Sequence, residues 1–458
     1  MPKKKTALTI EERLQQALVP AEEQPYEVPE NWVWVRLGSL ADVKGGKRLP
    51  NGTTFSENIT KHPYIRVTDF NAIGVSLEGL KYIDEDVYEK ISRYTISSDD
   101  IYVSIAGSIG KVGIIPSCID GANLTENAAK ITNIKGINQK YLCLFLKSEF
   151  AQYQMQSATI ATTQAKLALF RIESLTFPLP PLSEQQRIVE RIEELFAKLD
   201  EAKERLQEAA DSFAVRKAAI LHKAFTGELT KQWRREHGVS DESWEEKKLG
   251  EICKIGSGGT PSRKHAEYYN GNIPWIKTGE LAWNVITEAE EYITEEAVLN
   301  SSAKMHCAGS VLVAMYGQGL TRGKAAILGI NATTNQAVCA LKPLELLMSE
   351  FLFYYFMKNY WQFREEAVGE NQPNYSAKMI SSWSISLPTI PEQHEIVRLI
   401  DDLLARERKA QQATEQALAS IDLMKKSILA RAFRGELGTN KASEASALEL
   451  LRQVLAEN

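Results

Sequence analysis

The stretch LPPLSEQQRIVERIEELFAKLDEA, Leu179–Ala202, opens a segment that ends with RKAAILHKAFTGELT at Thr230. A second segment opens with LPTIPEQHEIVRLIDDLLARERKA, Leu387–Ala410, and ends with KKSILARAFRGELG at Gly438. Matching residues stand 208 positions apart, both in the EQ pair near the start and in the GEL triplet near the end. Because this period is far too long for a solenoid, the repeat indicates a chain built of two homologous halves.

Each segment has the features of one long helix. Prolines precede it, and no proline or glycine lies between Ser183 and Thr226, as a helix interior requires. Gly227 and Gly435 supply the left-handed residue that commonly follows the end of a helix. The first helix would therefore span roughly 43 residues, or ~65 Å at 1.5 Å per residue.

A helix of this length in a globular protein needs a partner. Apolar residues recur in steps of four and three, which is the pattern of a coiled-coil seam; Glu407 and Thr414 interrupt it in the second segment. The predicted seam consists of Ile188, Ile192, Leu195, Leu199, Leu206, Phe213, Ile396, Ile400, Leu403, Ile421, Met424 and Ile428. We expect the two helices to form an intramolecular coiled coil, with pairing to another subunit as the alternative.

The composition is that of an ordinary globular protein. The 458 residues suffice for two to four domains, and 44% of them are hydrophobic. No run of 18 apolar residues predicts a membrane span, and the basic N-terminus lacks the apolar core of a signal peptide. Five cysteines without a C-x-x-C spacing fit a reduced cytoplasm and argue against a zinc site. The net charge of −5 argues mildly against a nucleic-acid binder, so that case depends on local patches.

Two regions of short β-like runs and glycine-rich turns precede the helical segments. The predicted boundaries are 1–30 for an N-terminal arm, 31–178 for a first globular domain, 179–229 for the first long helix, 230–243 for a polar linker, 244–386 for a second globular domain, 387–437 for the second long helix and 438–458 for a tail with a short helix. The predicted fold class is α+β: two homologous mixed α/β domains joined by two long helices. The arm is interpreted as solvated, with a docking segment as the alternative.

The two globular domains have diverged further than the helices. HPYIRVTDF at 62–70 is similar to IPWIKTGEL at 273–281, and IYVSIAGSIGKVGII at 101–115 is similar to VLVAMYGQGLTRGKAAIL at 311–328. Their offsets vary between 209 and 213, and most residues differ. Two similar helices that carry two dissimilar domains predict two related but different tasks.

A glycine turn that ends in a lysine occurs in each domain, at Gly107–Lys111 and Gly319–Lys324. Neither turn has the glycine spacing and the Ser or Thr after lysine that a phosphate-binding loop requires. A turn between strands explains the glycines. Such a turn also lets the backbone approach a DNA phosphate with a cation beside it, so we expect DNA contact here.

Other matched loops extend the candidate surface. Lys44–Arg48 and Gly256–Lys264 are basic and glycine-rich, while 162–164 and 371–374 carry hydroxyl and amide groups suited to base edges. Solvated loops and loop caps are the alternative interpretation. The predicted DNA-binding residues are Lys44, Lys47, Arg48, Arg66, Ser108, Lys111, Thr162, Thr163, Gln164, Ser257, Arg263, Lys277, Tyr316, Gln318, Arg322, Lys324, Asn371, Gln372 and Asn374.

The sequence offers no catalytic or metal site. The six histidines lack metal-ligand spacing, and no nucleophile elbow is present. Asn371–Tyr375 is superficially like the Asn-Pro-Pro-aromatic motif of amino-methyltransferases but departs from it at Gln372 and Asn374. We therefore predict no catalytic residues and a chain that is not itself an enzyme.

The repeated LP-P-x-x-EQ start, the repeated AF-x-GEL end and the two divergent domains together resemble the specificity subunit of type I restriction-modification systems. The resemblance covers Trp32–Leu437. It implies two target-recognition domains and two helices packed antiparallel as a spacer. It also implies double-stranded DNA, two modification (methyltransferase) subunits and two restriction (ATP-dependent translocase and nuclease) subunits as partners in the cytoplasm, with AdoMet, ATP and Mg²⁺ bound by those partners.

The resemblance implies a bipartite DNA site. A ~65 Å helix spans at most ~19 base pairs at 3.4 Å per base pair, so an unread spacer near one helical turn would separate two half-sites. Dissimilar domains imply an asymmetric site, and a partner would methylate adenines after base flipping. The alternative is a coiled-coil scaffold with two protein-binding domains, which the nearly neutral charge of both domains favours.

Overall fold

The computed structural model describes residues 8–71, 74–157, 165–365 and 374–457. Its helices are α1 (Ile10–Ala17), α2 (Glu85–Ile91), α3 (Gln139–Leu146), α4 (Glu149–Ser157), α5 (Leu169–Glu173), α6 (Leu182–Phe225), α7 (Lys231–His237), α8 (Leu249–Ile252), α9 (Glu295–Leu299), α10 (Ser349–Lys358), α11 (Tyr360–Glu365), α12 (Ala377–Ser382), α13 (Ile390–Ala432) and α14 (Ala447–Ala456).

The strands are short, as the alternation of apolar runs and turns predicts. They are β1 (Val33–Arg36), β2 (Asp42–Gly45), β3 (Pro63–Ile65), β4 (Lys81–Tyr82), β5 (Thr95–Ile96), β6 (Ile101–Ser104), β7 (Val112–Gly113), β8 (Ala122–Leu124), β9 (Ala128–Thr132), β10 (Thr176–Leu179), β11 (Glu245–Lys248), β12 (Cys253–Ser257), β13 (Tyr269–Ile276), β14 (Val285–Ile286), β15 (Tyr292–Ile293), β16 (Met305–His306), β17 (Val311–Ala314), β18 (Ala325–Leu328), β19 (Ala332–Thr334), β20 (Val338–Pro343) and β21 (Ser384–Leu387).

The chain divides into two compact units. Unit 1 comprises Met1–Arg205 and Ala417–Asn458, and unit 2 comprises Leu206–Gln416. Each unit therefore contains one globular domain, the start of one long helix and the end of the other. The predicted fold class, with two mixed α/β domains and two long helices, is confirmed. The residue boundaries of the domains stay a prediction.

Unit 1 contains two four-stranded sheets in the strand orders β2-β9-β6-β7 and β4-β3-β8-β5. The first is antiparallel, whereas β3 and β8 of the second run parallel. Strand β6 is buried along its whole length, which explains why apolar or aromatic side chains occupy Ile101–Val103 without alternation. The sequence pattern of an internal strand thus identifies the centre of this domain.

Unit 2 repeats this plan with one more strand. Its sheets have the orders β12-β20-β17-β18-β14 and β15-β13-β19-β16, with parallel pairing of β13 with β19 and of β14 with β18. Strand β17 corresponds to β6 and is likewise fully buried. In both units a two-stranded antiparallel pair, β1 with β10 or β11 with β21, brings the start of the domain beside the residues that lead into a long helix.

The long helices have 44 residues (α6) and 43 residues (α13). Both are followed by the predicted left-handed glycine, since Gly227 has a φ of +75° and Gly435 a φ of +76°. Within unit 1, Lys203 pairs with Asp422 and Asp200 pairs with Lys425. From one pair to the other, the residue number falls in α6 and rises in α13, so the paired segments are antiparallel.

The predicted seam is largely buried or half-buried, with one error. Ile188, Ile192, Phe213, Ile396, Ile400 and Ile421 are buried, and Leu195, Leu199, Leu206, Leu403 and Ile428 are half-buried. Met424, however, is 50% exposed, so its assignment to the seam is wrong. An α-helix drifts from a strict seven-residue repeat, and Lys425 takes the position instead, with Nζ 5.1 Å from the centre of the Phe196 ring.

The repeated EQ pair is fully buried and ties each long helix to its globular domain. Gln185 accepts a hydrogen bond from the main-chain N–H of Asn138, the residue that caps α3, at 2.7 Å. Gln393 does the same for Met348, which precedes α10, at 2.9 Å. Each glutamine also donates to the carbonyl of the proline five residues earlier, at 3.0 and 2.8 Å. The two copies of this glutamine therefore make the same contacts in the two units.

The two buried glutamates receive different partners. Glu184 Oε2 accepts from Trp32 Nε1 at 2.8 Å and from Asn440 Nδ2 at 2.9 Å, which are neutral donors. Glu392 Oε1 instead accepts from the Arg234 guanidinium at 2.7 Å. Burial raises the pKa of Glu184 above its ordinary value, although these hydrogen bonds oppose the rise. The same repeated carboxylate is thus held by neutral donors in unit 1 and by a cation in unit 2.

We expect Glu184→Gln to stabilise unit 1 at neutral pH by about 1 kcal/mol, the scale of one buried hydrogen-bonding group. A carboxyl whose pKa is raised by folding costs stability as pH rises through its unfolded pKa towards its folded one, and glutamine does not ionise. Unfolding measured from pH 4 to 8 should show the difference at the alkaline end and its disappearance at the acid end. A constant difference at all pH values would contradict this assignment.

The termini and the predicted linker are packed into the units. Arg13 in α1 donates to the carbonyl of Leu455 in α14 at 3.1 Å, and Leu451 is fully buried, so the interpretation of the arm as solvated is wrong for α1. The polar segment 230–243, predicted as a linker, contains α7 and the buried Arg234. Within the described part of the chain, none of the helices combines the length and the apolar composition that a membrane span needs.

Candidate nucleic-acid interface

A glycine-rich loop lies against the end of a buried strand in each domain. In unit 1 the main-chain N–H of Lys47 donates to the carbonyl of Leu124 at 2.8 Å. A Cβ atom on Gly46 would stand 2.1 Å from the carbonyl oxygen of Thr125. In unit 2 a Cβ atom on Gly258 would stand 2.2 Å from the carbonyl oxygen of Thr334. The glycines therefore permit a backbone approach that no side chain allows.

Gly46→Ala is expected to destabilise unit 1 by about 1–3 kcal/mol, because the methyl group would force backbone atoms apart. Gly45→Ala is the matched control, since its nearest neighbour is the flexible Leu169 side chain at 3.6 Å. In unit 2 the corresponding pair is Gly258→Ala and Gly256→Ala. A Cβ atom on Gly256 would have His306 Cε1 as its nearest neighbour, at 3.8 Å. Chemical denaturation of the four variants measures the effect, and equal stability within either pair would contradict the close approach.

The predicted glycine turns lie at the same place in both domains. Gly110 and Gly323 have φ values of +89° and +84°. Their N–H groups donate to Ser104 and Ala314, the last residues of β6 and β17, at 3.0 and 2.8 Å. Each turn is therefore fixed to the end of the central buried strand of its domain.

The backbone frame around these turns is the same in the two units, although the side chains differ. Corresponding hydrogen bonds join the glycine-rich loop, the glycine turn, the strand that follows and the segment before α5 or α12. Written as donor and acceptor, with unit 1 before unit 2, they are Lys47–Leu124 and Gly259–Thr334, Thr125–Ile65 and Asn335–Ile276, Ile105–Asn127 and Met315–Ala337, and Leu167–Ile105 and Tyr375–Met315.

In unit 1 these segments enclose a cavity of about 660 Å³. Among the predicted residues, Arg48 and Ser108 line it, and Arg66 lines an adjoining cavity of about 390 Å³. The sequence did not single out further lining residues, Thr68, Glu126, Asn127 and Lys166. Their signal was positional: they stand at strand ends and beside candidate loops, which only the folded sheet order brings together.

The remaining predicted lysines of unit 1 do not line this cavity. Lys47 is exposed, with its Nζ 5.6 Å from the centre of the Tyr94 ring. Lys44 is exposed on β2 and lies 3.5 Å from the Asp42 carboxylate. Lys111 donates to the carbonyl of Phe70 at 3.2 Å. Lys44 and Lys111 are thus not among the residues that line the cavity.

In unit 2 the predicted residues are distributed over matching segments. Ser257 and Asn374 are exposed, as is Gln318, while Tyr316 and Lys324 are half-buried. Arg322 donates to the carbonyl of Arg364 at 3.1 Å and is thereby held against α11. Thr162, Thr163, Gln164, Asn371 and Gln372 lie outside the described residues.

Several predicted cations are paired with carboxylates of their own domain. Arg66 forms a bidentate pair with Asp69 at 2.6 and 3.1 Å. Arg263 pairs with Glu291, stacks over Tyr269 at 4.2 Å, and lowers the pKa of Glu291 by hydrogen bonding to it. Lys277 lies 3.6 Å from the same Glu291 carboxylate. Each of these cations therefore already has a counter-charge within its own domain.

One pair of positions differs in kind between the units. In unit 1 Arg48 Nε donates to Glu126 Oε1 at 2.6 Å. By the shared backbone frame the corresponding residues of unit 2 are Thr260 and Gln336, whose side chains are also hydrogen bonded to each other. A charged pair in one domain is thus replaced by a neutral pair in the other, at the edge of the same loop.

The described residues contain no group of three histidine, cysteine, aspartate or glutamate side chains that could hold a metal ion. Of the free cysteines, Cys118 and Cys307 are exposed, whereas Cys143, Cys253 and Cys339 are buried, and burial raises the pKa of Cys253 to about 12. A thiol with so high a pKa is a poor nucleophile at neutral pH. The arrangement of polar loops around a cavity is suited to binding.

Comparison with known families matches residues 29–210 and 241–417 to the type I restriction modification DNA specificity domain. The chain is 25% identical over 471 residues to the EcoKI specificity subunit of Escherichia coli strain K12, covering 94% of this chain and 96% of that one. It is 33% identical over 213 residues to the EcoBI specificity subunit of Escherichia coli, covering 46% of this chain and 44% of that one. In that alignment the chain spans less than half the length of its relative.

Among solved structures, the fold is similar to the HsdS subunit from Thermoanaerobacter tengcongensis, with a TM-score of 0.65. The match covers 91% of this chain and 100% of that one at 22% sequence identity. At this identity the similarity concerns the fold, namely two α/β domains with long helices.

Proposed function

The chain belongs to the family of type I restriction modification DNA specificity domains, and on that premise we propose that it reads double-stranded DNA for a restriction-modification complex. Each globular domain would contact one half-site through its glycine-rich loop, its glycine turn and the cavity residues between them. Cations and amide groups on such loops position phosphates and read base edges.

One observation carries this proposal: the two domains keep the same backbone frame but change the side chains on it. Arg48–Glu126 of unit 1 is replaced by Thr260–Gln336 at the corresponding positions of unit 2. Two readers of different half-sites require such a change. The proposed DNA site is therefore bipartite and asymmetric.

The spacing of the half-sites is proposed to be set by the long helices. Helices of 44 and 43 residues are ~65 Å long at 1.5 Å per residue. They would hold an unread spacer of constant length, as half-site geometry requires. This accounts for a repeat that keeps one offset of 208 residues without a gap through both helices.

Catalysis is proposed to reside in partner subunits in the cytoplasm. Two modification subunits would methylate adenine with AdoMet, and two restriction subunits would use ATP and Mg²⁺. This chain would determine at which DNA sequence the reaction takes place. Base flipping would deliver the adenine to a modification subunit.

The test is to express the full chain with its modification subunit and map methylated adenines across the host genome. A single asymmetric bipartite motif with a constant spacer is expected. Replacing residues 32–177 by the corresponding domain of another family member should change one half of that motif only. A change in both halves would refute modular reading.

The scaffold alternative has one observation in its favour, since Arg48, Arg66 and Arg263 are already paired with carboxylates of their own domains. A gel shift of the co-expressed complex on random duplexes separates the two functions. Selective retention of duplexes that share a sequence supports DNA reading. If no such duplex is retained and no methylated motif is found, the scaffold function is supported instead.

A further inference from the structure

The gap-free repeat makes it possible to compare the two ends of the paired helices residue by residue. In unit 1 Lys425 Nζ donates to Asp200 Oδ1 at 2.5 Å, and the same Nζ lies over the Phe196 ring. This ion pair joins α13 to α6, and the lysine side chain packs over the apolar seam between the two helices.

At the offset of 208 residues the corresponding side chains in unit 2 are Lys217, Arg408 and Leu404. The acidic partner of the lysine is therefore replaced by a second cation, and the aromatic ring by a smaller aliphatic side chain. Partial desolvation by the surrounding side chains and the nearby Arg408 lower the pKa of Lys217, although the residue remains accessible to solvent. Arg408 Nε donates only weakly, to the Leu404 carbonyl at 3.3 Å, and within the described part of the chain neither cation forms an ion pair with a carboxylate.

A cavity of about 410 Å³ opens between α6, α13 and α10 at this point. Its walls include the aromatic rings of Phe213, Trp283 and Phe353, while Lys217 and Arg408 line it as exposed cations. The carboxylate that also lines the cavity, Glu407, is engaged by Arg216 Nε at 2.8 Å. The cavity thus offers apolar walls and two cations without a local counter-charge.

We propose that this cavity binds an acidic side chain and a neighbouring apolar side chain of a partner protein subunit. The carboxylate would take the place that Asp200 fills in unit 1, and the apolar side chain would pack against the rings in the space left by the Phe196-to-Leu404 exchange. The proposal rests on the proposed function, because that function supplies the partner subunits.

The chemistry of the site favours a protein segment over a free anion. Exposed ion pairs contribute only about 0–1 kcal/mol each, so two exposed cations hold a small anion weakly. Burial of apolar surface contributes about 25 cal/mol per Å², and a segment with both groups uses the walls and the cations together.

The test copies the closed arrangement of unit 1 into unit 2 of the full chain. Leu404→Phe with Arg408→Asp introduces the side chains that the same protein uses at Phe196 and Asp200. Titration with the modification subunit should then show one of its two binding events weakened about tenfold or more, and Lys217→Glu should weaken the same event by removing the other cation. Arg408→Lys keeps the cation and should assemble as the unaltered chain does.

Three outcomes are distinguishable. If the double variant assembles as tightly as the unaltered chain, the inference is overturned, while a retained methylation motif would leave the proposed function standing. If the unaltered chain does not assemble, both fail. In the third outcome, phenylacetate raises the melting temperature of the unaltered chain but not that of Arg408→Asp. If the double variant also assembles with the modification subunit as tightly as the unaltered chain, the site binds a free anion and the partner assignment is overturned.

Discussion

Arg234→Met is expected to lower the free energy of unfolding of unit 2 by about 3–5 kcal/mol, the usual effect of removing one partner from a buried ion pair. The Arg234 side chain is 7% exposed and that of Glu392 is fully buried. Without the guanidinium, Glu392 Oε1 would retain only the Thr230 hydroxyl, and its Oε2 has no hydrogen-bond partner among the described residues. An uncompensated carboxylate would then remain inside the protein.

Two variants separate loss of the charge pair from general damage to α7. Arg235→Met changes the exposed neighbour on the same helix and should shift stability by less than about 0.5 kcal/mol. Arg234→Met combined with Glu392→Leu removes both charges and should recover most of the loss, because apolar replacement of a whole buried pair is often neutral. Thermal or denaturant unfolding of the full chain measures all three.

The expected transition is specific to one unit, since the corresponding Glu184 of unit 1 is held by neutral donors. An Arg234→Met protein that unfolds within about 1 kcal/mol of the unaltered chain would show that the ion pair adds little. A double variant as unstable as the single one would place the effect in lost packing of the arginine stem.

The long helices could be predicted from the sequence because their signals are local and repeated. Proline before each helix, glycine after it and an apolar period of three and four all act within a few residues. Met424 shows the limit of that reasoning. A heptad template places it in the seam, but helical drift brings Lys425 there instead.

The role of Arg234 could not be predicted in the same way. It stands in a stretch of charged residues, and such a composition normally indicates a solvated segment. Its burial depends on Glu392, which lies 158 residues away in sequence. A long-range pair of this kind leaves no periodic signal in either segment.

The candidate interface was predictable in part. Glycine turns and basic loops identified Arg48 and Ser108, which do line the cavity of unit 1. Thr68, Asn127 and Lys166 were missed because they are distant in sequence and meet only through the order of the strands in the sheets. The sequence of a single loop does not indicate that order. The pairing of Arg66 and Arg263 with carboxylates was also hidden, since a cation looks the same in sequence whether paired or not.

The exchange Arg48→Thr with Glu126→Gln is expected to change base preference in one half-site by about 1–3 kcal/mol, the scale of one specific side-chain contact to a base. The double variant installs in unit 1 the neutral pair that the chain already uses in unit 2. Reciprocal replacement of Thr260 by Arg and Gln336 by Glu should change the other half-site only. Methylome mapping of both variants measures the two halves independently.

The single variants resolve what the pair does before DNA binds. In Glu126→Gln, Arg48 loses its partner at 2.6 Å and becomes available to phosphate, so affinity should rise at low salt and the salt slope should steepen by about one. In Arg48→Thr the Glu126 carboxylate is left unpaired beside the DNA backbone, so affinity should fall further than in the double variant. If both single variants bind as the unaltered chain does, the Arg48–Glu126 pair lies outside the DNA interface, and the reading surface must be sought on the glycine turn.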